Sequence, residues 1–91
     1  MPRHETEVDI INRLGLHARA SSKLVETAVR FKSSIRIGRG DRLVDARSIM
    51  ALLMMGAGQG SRLSLLIEGD DADAALAAVT ALIADRFGEA E

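Results

Sequence analysis

Residues 35–46 read Ile-Arg-Ile-Gly-Arg-Gly-Asp-Arg-Leu-Val-Asp-Ala, and this stretch decides the fold class. Ile35 and Ile37 alternate with polar residues. Turn-forming residues follow at 38–41, and the alternation resumes at Val44. A period of two is typical of a strand with one buried face, and a Gly-rich break between two such runs predicts a β-hairpin. The domain is therefore expected to contain an antiparallel sheet.

Two further strands are predicted on either side of this hairpin. Over residues 6–10 apolar and acidic side chains alternate, which predicts a half-buried first strand. Leu63, Leu65 and Ile67 repeat the pattern, which predicts a fourth strand. Each predicted strand has only one apolar side, so we expect helices to cover a single face of the sheet.

Three segments are predicted to be helices, two from their periodicity and one from its flanking residues. Apolar residues recur at three- and four-residue spacing over about 18–31 and again from Ala72 onward. Between these segments Ser48 precedes the apolar run 49–55, and glycines follow it, which predicts a short helix with a serine N-cap. The apolar stripes consist of Ala20, Leu24, Ala28 and Phe31 in the first helix and Leu76, Val79, Ile83 and Phe87 in the last.

The predicted order of elements is β-α-β-β-α-β-α. This order defines an α/β (α+β) fold: an open-faced β-sandwich with a four-stranded antiparallel sheet and three helices on one face. A chain of 91 residues is the size of one hydrophobic core, so we expect a single domain over residues 1–91. The last four residues, Gly-Glu-Ala-Glu, are expected to fray.

Composition argues against several classes of function. Lys and Arg number 12 against 13 Asp and Glu, so the chain has no excess positive charge with which to hold nucleic acid. The absence of cysteine and the presence of only two histidines argue against disulfides and a multi-histidine metal site. We expect neither a metal nor a cofactor. Asp70, Asp71 and Asp73 are explained as acids at the start of the last helix.

The chain also lacks signals for membrane insertion or export. Its opening residues are charged and have no apolar region of the kind found in signal peptides. No segment approaches the ~18 consecutive apolar residues of a membrane span. A cytoplasmic protein is therefore expected.

His17 is the main candidate for chemistry, because it follows the first strand and precedes the first helix. The first N–H groups of a helix lack internal partners and favour an anion. A phosphoryl group on the imidazole would meet these donors, Arg19 can neutralise its oxygens, and Gly15 allows the backbone to approach closely. Taken alone, both His17 and Arg19 are more often ordinary polar residues of a helix start. His4, in the charged N-terminal segment, suggests no further role.

Two motifs change this assessment. Leu14-Gly15-Leu16-His17-Ala18-Arg19 resembles the active-site signature of the histidine-containing phosphocarrier family, HPr, of bacterial phosphotransferase systems. Ala46-Arg47-Ser48-Ile49-Met50 resembles the regulatory serine motif of that family, and Gly58-Gln59-Gly60 its following turn. Chain length and element order match from Thr6 to Phe87. One departure is Ala20, where many family members have proline; alanine keeps good helix propensity and adds a backbone N–H.

The resemblance implies a phosphocarrier that is not itself an enzyme. His17 would accept a phosphoryl group at Nδ1 from phosphorylated enzyme I, with phosphoenolpyruvate as the source. It would then pass the group to a sugar-permease component of the phosphotransferase system. His17 and Arg19 would be the catalytic residues, while Gly15, Ala18 and Arg19 would bind the phosphoryl oxygens. The carrier is expected to be a monomer.

Ser48 has two interpretations. As an N-cap of the short helix it needs no further explanation. The resemblance adds phosphorylation by HPr kinase/phosphorylase, and a phosphoserine is compatible with a helix N-terminus. All residues of the run 49–55 are apolar, and a two-turn helix cannot turn all of them toward the core. An exposed apolar patch is therefore expected. The resemblance makes Ile49, Met50 and Leu53 the partner-binding residues, and leaves Leu52 and Met55 to the core.

Three alternatives remain open. The nitrogen-related branch of the phosphotransferase system uses a similar carrier, NPr, and residues 48–54 resemble that branch as well. A non-covalent module would use His17 and Arg19 only to bind an anion or a partner, and would carry no covalent phosphate. A small acylphosphatase-like hydrolase is disfavoured, because no positioned carboxylate accompanies His17 in the motif.

Overall fold

The computed structural model describes all 91 residues and contains one four-stranded antiparallel sheet with three α-helices on one face. The strands lie in the order β1-β4-β2-β3. The predicted fold class and the predicted order of elements are confirmed. No helix combines the length and the apolar character that a membrane span requires. In chain order the elements are β1 (Arg3–Asp9), α1 (Ala18–Ala28), β2 (Ser34–Arg39), β3 (Arg42–Asp45), α2 (Ile49–Met55), β4 (Arg62–Glu68) and α3 (Ala72–Ala84), followed by a 3₁₀ turn at Arg86–Gly88.

The inner face of the sheet is aliphatic. β2 and β4 occupy the centre of the sheet, and their alternate residues are buried, as the period of two predicts. The helices cover this face with their own apolar stripes, so one cluster of 18 buried residues forms the core. Its largest fully buried side chains include Leu24, Ile35, Ile37, Leu63, Leu65, Ile67 and Phe87.

β1 is longer than the alternating pattern predicts. It begins at Arg3, because residues 3–5 pair with the end of β4 in continuous register, from Arg3 opposite Glu68 onward. Backbone hydrogen bonds of a ladder do not require apolar side chains, so the charged residues before Thr6 extend the strand without an apolar signal in the sequence.

α1 ends at Ala28, before the predicted end near Phe31. The carboxylate of Asp71 accepts hydrogen bonds from the backbone N–H groups of Lys32 and Ser33, each at 2.9 Å, and from the Ser33 hydroxyl. These bonds turn the chain into β2. They also hold the pKa of Asp71 below its ordinary value, and the bond from the Ser33 hydroxyl has the largest effect. Asp71 stands at the start of α3 as expected, but its carboxylate does not cap that helix.

The segment after α3 turns back across the domain. Arg86 and Phe87 have φ values of 57° and 55°, which are uncommon for residues with a side chain. Phe87 is nevertheless fully buried, and its carbonyl accepts a hydrogen bond from Lys23 Nζ at 2.6 Å. Burial of the ring therefore keeps this turn in place.

The last residues, for which the sequence suggests fraying, contact the loop before α1. The backbone carbonyl of Glu91 accepts a hydrogen bond from the N–H of Arg13. The Glu91 carboxylate also pairs with the Arg13 guanidinium at 2.8 Å. The final segment of the chain therefore packs against the loop between β1 and α1.

Candidate functional site

His17 is the N-cap of α1, with extended backbone angles (φ −74°, ψ −178°). Its carbonyl accepts the N–H of Ser21 at 2.8 Å, so the helix begins directly after the imidazole. The backbone N–H groups of Ala18, Arg19 and Ala20 have no hydrogen-bond acceptor within the protein. Free donors at the positive end of a helix dipole favour an anion next to the ring.

The imidazole is held by a carboxylate from the far end of the chain. His17 Nε2 lies 2.5 Å from Glu89 Oε2, and Glu89 Oε1 accepts a hydrogen bond from Asn12 Nδ2 at 3.0 Å. Only 28% of the His17 side chain and 16% of the Glu89 side chain are exposed. The bond with His17, and to a lesser extent the bond from Asn12, lowers the pKa of Glu89 below its ordinary value of 4.5. Glu89 is therefore a carboxylate at neutral pH.

Arg19 lies on the exposed surface of α1 and makes no hydrogen bond or ion pair. Together with His17 and Glu89 it lines an open cleft of about 310 Å³. Arg13, on the same cleft, already has Glu91 as its partner. Arg19 is thus the unpaired guanidinium of this cleft, and its fork of donors suits the oxygens of a bound anion.

Gly15 closes the loop before α1. Its φ is +65°, and a Cβ added there would lie 2.4 Å from the carbonyl oxygen of Ala57 and 2.7 Å from the Cα of Gly58. The predicted close approach of the backbone is thus real, but it is made by the segment after α2. The N–H of Gly15 already donates to the Asn12 carbonyl at 3.1 Å. The expectation that Gly15 binds phosphate therefore needs correction: it shapes the loop and offers no free donor.

Ser48 is the N-cap of α2, as predicted, and its hydroxyl oxygen accepts a hydrogen bond from the N–H of Ala51 at 3.3 Å. The apolar run that follows is divided as expected. Leu52 is fully buried and Met55 packs partly against the core. The exposed apolar residues in and near this region are Ile49, Met50, Leu53, Met54 and Leu14.

Of these exposed residues, Met54 and Leu14 were not predicted. Met54 is 82% exposed, and Leu14 is 65% exposed beside the cleft that contains His17. Leu14 could have been identified from the sequence, because it is an apolar residue in a polar loop.

Asn12 and Glu89 are also site residues that the sequence did not reveal. Glu89 is 72 residues from His17 and 77 from Asn12, so no local spacing connects them. The motif around His17 contains no carboxylate, but Glu89 brings one to the imidazole from outside the motif. His4 contacts none of these residues and pairs with Asp73 at 2.5 Å.

The fold and the site together define a class of small open-faced sandwiches that present one histidine at a helix N-terminus. The family model described as "PTS HPr component phosphorylation site" matches residues 4–85. The phosphocarrier protein HPr of Cupriavidus necator is 49% identical over 87 residues, which cover 96% of this chain and 98% of that protein. The chain belongs to the HPr family of phosphocarrier proteins of the phosphotransferase system.

Two further comparisons agree with this assignment. The phosphocarrier protein NPr of Shewanella violacea is 46% identical over 90 residues, which cover 99% of each chain. The crystal structure of HPr from Thermoanaerobacter tengcongensis superposes with a TM-score of 0.91 at 39% identity, covering 97% of this chain and 99% of that one. The family resemblance and the fold predicted from the sequence are confirmed.

Proposed function

We propose that His17 accepts a phosphoryl group from phosphorylated enzyme I, with phosphoenolpyruvate as the source, and passes it to a sugar-permease component of the phosphotransferase system. The observation that carries this proposal is the position of His17 at the start of α1, beside N–H groups without acceptors and the unpaired Arg19. The protein acts in the cytoplasm as a monomeric transfer intermediate and does not turn over a substrate by itself.

Transfer to His17 is a displacement at phosphorus. A ring nitrogen uses its lone pair to form the new N–P bond, while the donor group of enzyme I leaves with the electron pair of the breaking bond. Negative charge spreads over the three phosphoryl oxygens in the transition state. The Arg19 guanidinium and the N–H groups of Ala18 and Arg19 stabilise that charge. In the second transfer, from His17 to the permease component, an acceptor group displaces His17 from phosphorus in the same way.

The deciding experiment measures covalent phosphate by intact mass after incubation with enzyme I and phosphoenolpyruvate. The wild type should gain one phosphate that is labile in acid and stable in alkali. His17→Ala should gain none, and His4→Ala, which removes the other histidine, should gain it normally. An unmodified wild type, or undiminished label on His17→Ala, refutes the proposal. An unmodified wild type would favour the non-covalent anion-binding module.

Arg19 is proposed to stabilise the phosphoryl oxygens during transfer. Arg19→Ala should lower the rate of phosphorylation on the order of 100-fold, as removal of one transition-state donor does in enzymes. Arg30→Ala removes an exposed arginine just beyond the other end of α1 and should leave the rate unchanged. Equal rates for the two variants would refute this role.

The exposed side of α2 is proposed as the docking surface for enzyme I and the permease component. Ile49, Met50 and Leu53 present apolar surface that the core does not use. Met50→Lys should raise the KM for this protein as a substrate of enzyme I about 10-fold, since a central interface residue contributes more than ~1 kcal/mol. Val29→Lys, at an exposed apolar position just after α1, serves as the control and should not change KM.

Phosphorylation of Ser48 by HPr kinase/phosphorylase is proposed as regulation of that docking surface. Ser48 directly precedes Ile49 and Met50, so a phosphate there adds negative charge beside the apolar patch. Ser48→Asp should slow phosphorylation by enzyme I, whereas Ser48→Ala should not. If Ser48→Asp reacts as fast as the wild type, the regulatory proposal fails.

The second candidate function is that of a carrier in the nitrogen-related branch. It is favoured by the 46% identity to an NPr, which is close to the 49% identity to an HPr. Phosphorylated protein can be mixed with equal amounts of a sugar-permease component and a nitrogen-branch component. The component that becomes labelled first identifies the branch.

A further inference from the structure

The carboxylate of Glu89 contacts the reactive imidazole, although the sequence motif around His17 contains no acid. We propose that Glu89 is a positioning residue: it fixes His17 in the tautomer that carries its hydrogen on Nε2 and leaves the lone pair of Nδ1 free for the phosphoryl group. This inference deepens the proposed function and rests on it.

The hydrogen-bond pattern around Glu89 decides the tautomer. Asn12 is fully buried, and its Nδ2 faces two acceptors, the carbonyl of Gly15 at 2.8 Å and the carboxylate of Glu89 at 3.0 Å. Only the NH₂ end of an amide can face two acceptors, so the orientation of Asn12 is fixed. Asn12 occupies one oxygen of Glu89, and the other faces His17.

A carboxylate can only accept hydrogen bonds, so the hydrogen between the two groups belongs to Nε2 of His17. A neutral imidazole carries one hydrogen, and its other nitrogen then has a free lone pair. Nδ1 of His17 makes no hydrogen bond in the structure and is therefore open to attack phosphorus.

The segment that carries Glu89 is held against the domain on both sides of this residue. Phe87, two residues earlier, is fully buried, and its carbonyl is bound by Lys23. Two residues later, Glu91 is bound to Arg13 through both backbone and side chain. Anchors on both sides hold the Glu89 carboxylate against the ring.

The carboxylate also balances the charge that the reaction creates. When Nδ1 forms the N–P bond, the hydrogen stays on Nε2 and the ring becomes positive, next to the negative Glu89. When an acceptor takes the phosphoryl group, the electron pair of the N–P bond returns to Nδ1 and the ring is neutral again. A carboxylate behind a catalytic histidine has this same orienting and balancing role in the Ser-His-Asp triad.

Glu89→Gln tests the tautomer directly. The glutamine oxygen is the group that can accept from Asn12, so its NH₂ turns toward His17 and donates to Nε2. The ring hydrogen should then move to Nδ1. Nitrogen-15 NMR of the unphosphorylated protein should show Nε2–H in the wild type and Nδ1–H in Glu89→Gln. Asp85→Asn, which changes an exposed acid near the end of α3 that makes no side-chain hydrogen bond, should keep the wild-type tautomer.

Phosphorylation kinetics with enzyme I supply the second readout. Glu89→Gln should lower kcat on the order of 10- to 100-fold with little change in KM, less than the roughly 10⁴-fold effect of the wrong tautomer in a serine protease. Asp85→Asn should match the wild type, and Glu89→Asp, which restores a carboxylate, should recover part of the loss.

The possible outcomes separate this inference from the proposed function. If the wild type takes no phosphate, the proposed function fails, and the role of Glu89 in transfer fails with it. If the wild type is phosphorylated but Glu89→Gln keeps the Nε2–H tautomer, or reacts at the wild-type rate, the role of Glu89 alone is overturned. A tautomer change together with a slower reaction supports it.

Discussion

At the scale of single residues, the loop before α1 requires a glycine at position 15. Gly15→Ala should destabilise the protein by more than the ~1–2 kcal/mol that a left-handed conformation costs an L-residue. The additional loss arises because the new Cβ would lie 2.4 Å from the carbonyl oxygen of Ala57, at a φ of +65°. Urea unfolding measures the change in free energy.

Two other glycines separate the causes of that loss. Gly40 has a φ of +58° but no atom within 4 Å of an added Cβ, so Gly40→Ala should show the conformational cost alone. Gly58 has neither a positive φ nor a close neighbour, so Gly58→Ala should be nearly neutral. If Gly15→Ala costs no more than Gly40→Ala, the close approach to Ala57 does not contribute.

Ser48 offers a second prediction at this scale. Its hydroxyl accepts the N–H of Ala51, so Ser48→Ala should destabilise the protein by about 1 kcal/mol, the usual value of an N-cap. Ser48→Asp keeps an acceptor and should retain most of that stability, as the midpoint of urea unfolding will show. A loss in Ser48→Asp equal to that in Ser48→Ala would mean that the cap does not stabilise α2.

At the scale of secondary-structure elements, one carboxylate connects the end of α1, the start of β2 and the start of α3. Asp71 precedes α3 and accepts hydrogen bonds from Lys32 and Ser33, in the turn between α1 and β2. Asp71 and this turn lie about 40 residues apart in the chain. The backbone N–H groups of the turn are therefore satisfied by a distant side chain and not by neighbouring residues. Ionisation of this carboxylate should therefore be linked to folding.

The pH dependence of Asp71→Asn tests this link. The pKa of Asp71 is lower in the folded protein than its ordinary value of 3.8, so the ionised form favours folding. The stabilisation is fully present above about pH 5 and is lost as the pH falls through the lower pKa of the folded state. The wild type should therefore be more stable than Asp71→Asn at neutral pH, and the difference should shrink in acid.

Thermal unfolding at a series of pH values measures that difference. Asp70→Asn is the matched control, because Asp70 is exposed and accepts no side-chain hydrogen bond. Its unfolding temperature should follow that of the wild type at every pH. A difference between wild type and Asp71→Asn that stays constant into acid would contradict the link.

At the scale of the whole molecule, periodic patterns identify the elements but not their arrangement. Ile35 and Ile37 mark a strand by local spacing alone, as Leu24 and Ala28 mark a helix face. The order β1-β4-β2-β3 depends on pairings between distant segments, such as Val8 opposite Leu63, which several registers of similar pattern would satisfy.

The candidate site divides in the same way. His17 and Arg19 lie in one short motif, so the sequence could predict that they lie together at the start of α1. Glu89 could not be predicted, because its place depends on the turn at Phe87. In the sequence Phe87 continues the apolar stripe of α3. In the structure its φ is 55°, so the chain leaves the α-helical conformation and turns there.

The site is built from the loop before α1 and the segment after α3, and this predicts how the site is lost on unfolding. Residues 12–19 and 87–91 are joined by direct hydrogen bonds, and both segments contribute a residue, Leu16 and Phe87, to the single cluster of 18 buried residues. Urea unfolding followed by far-UV circular dichroism and by the nitrogen-15 signals of His17 should therefore give one coincident transition. Phe87→Leu should move both signals to lower urea together, since the ring belongs to the core that includes both segments. If the His17 signals change at a lower urea concentration than the circular dichroism, the final segment opens independently of the core.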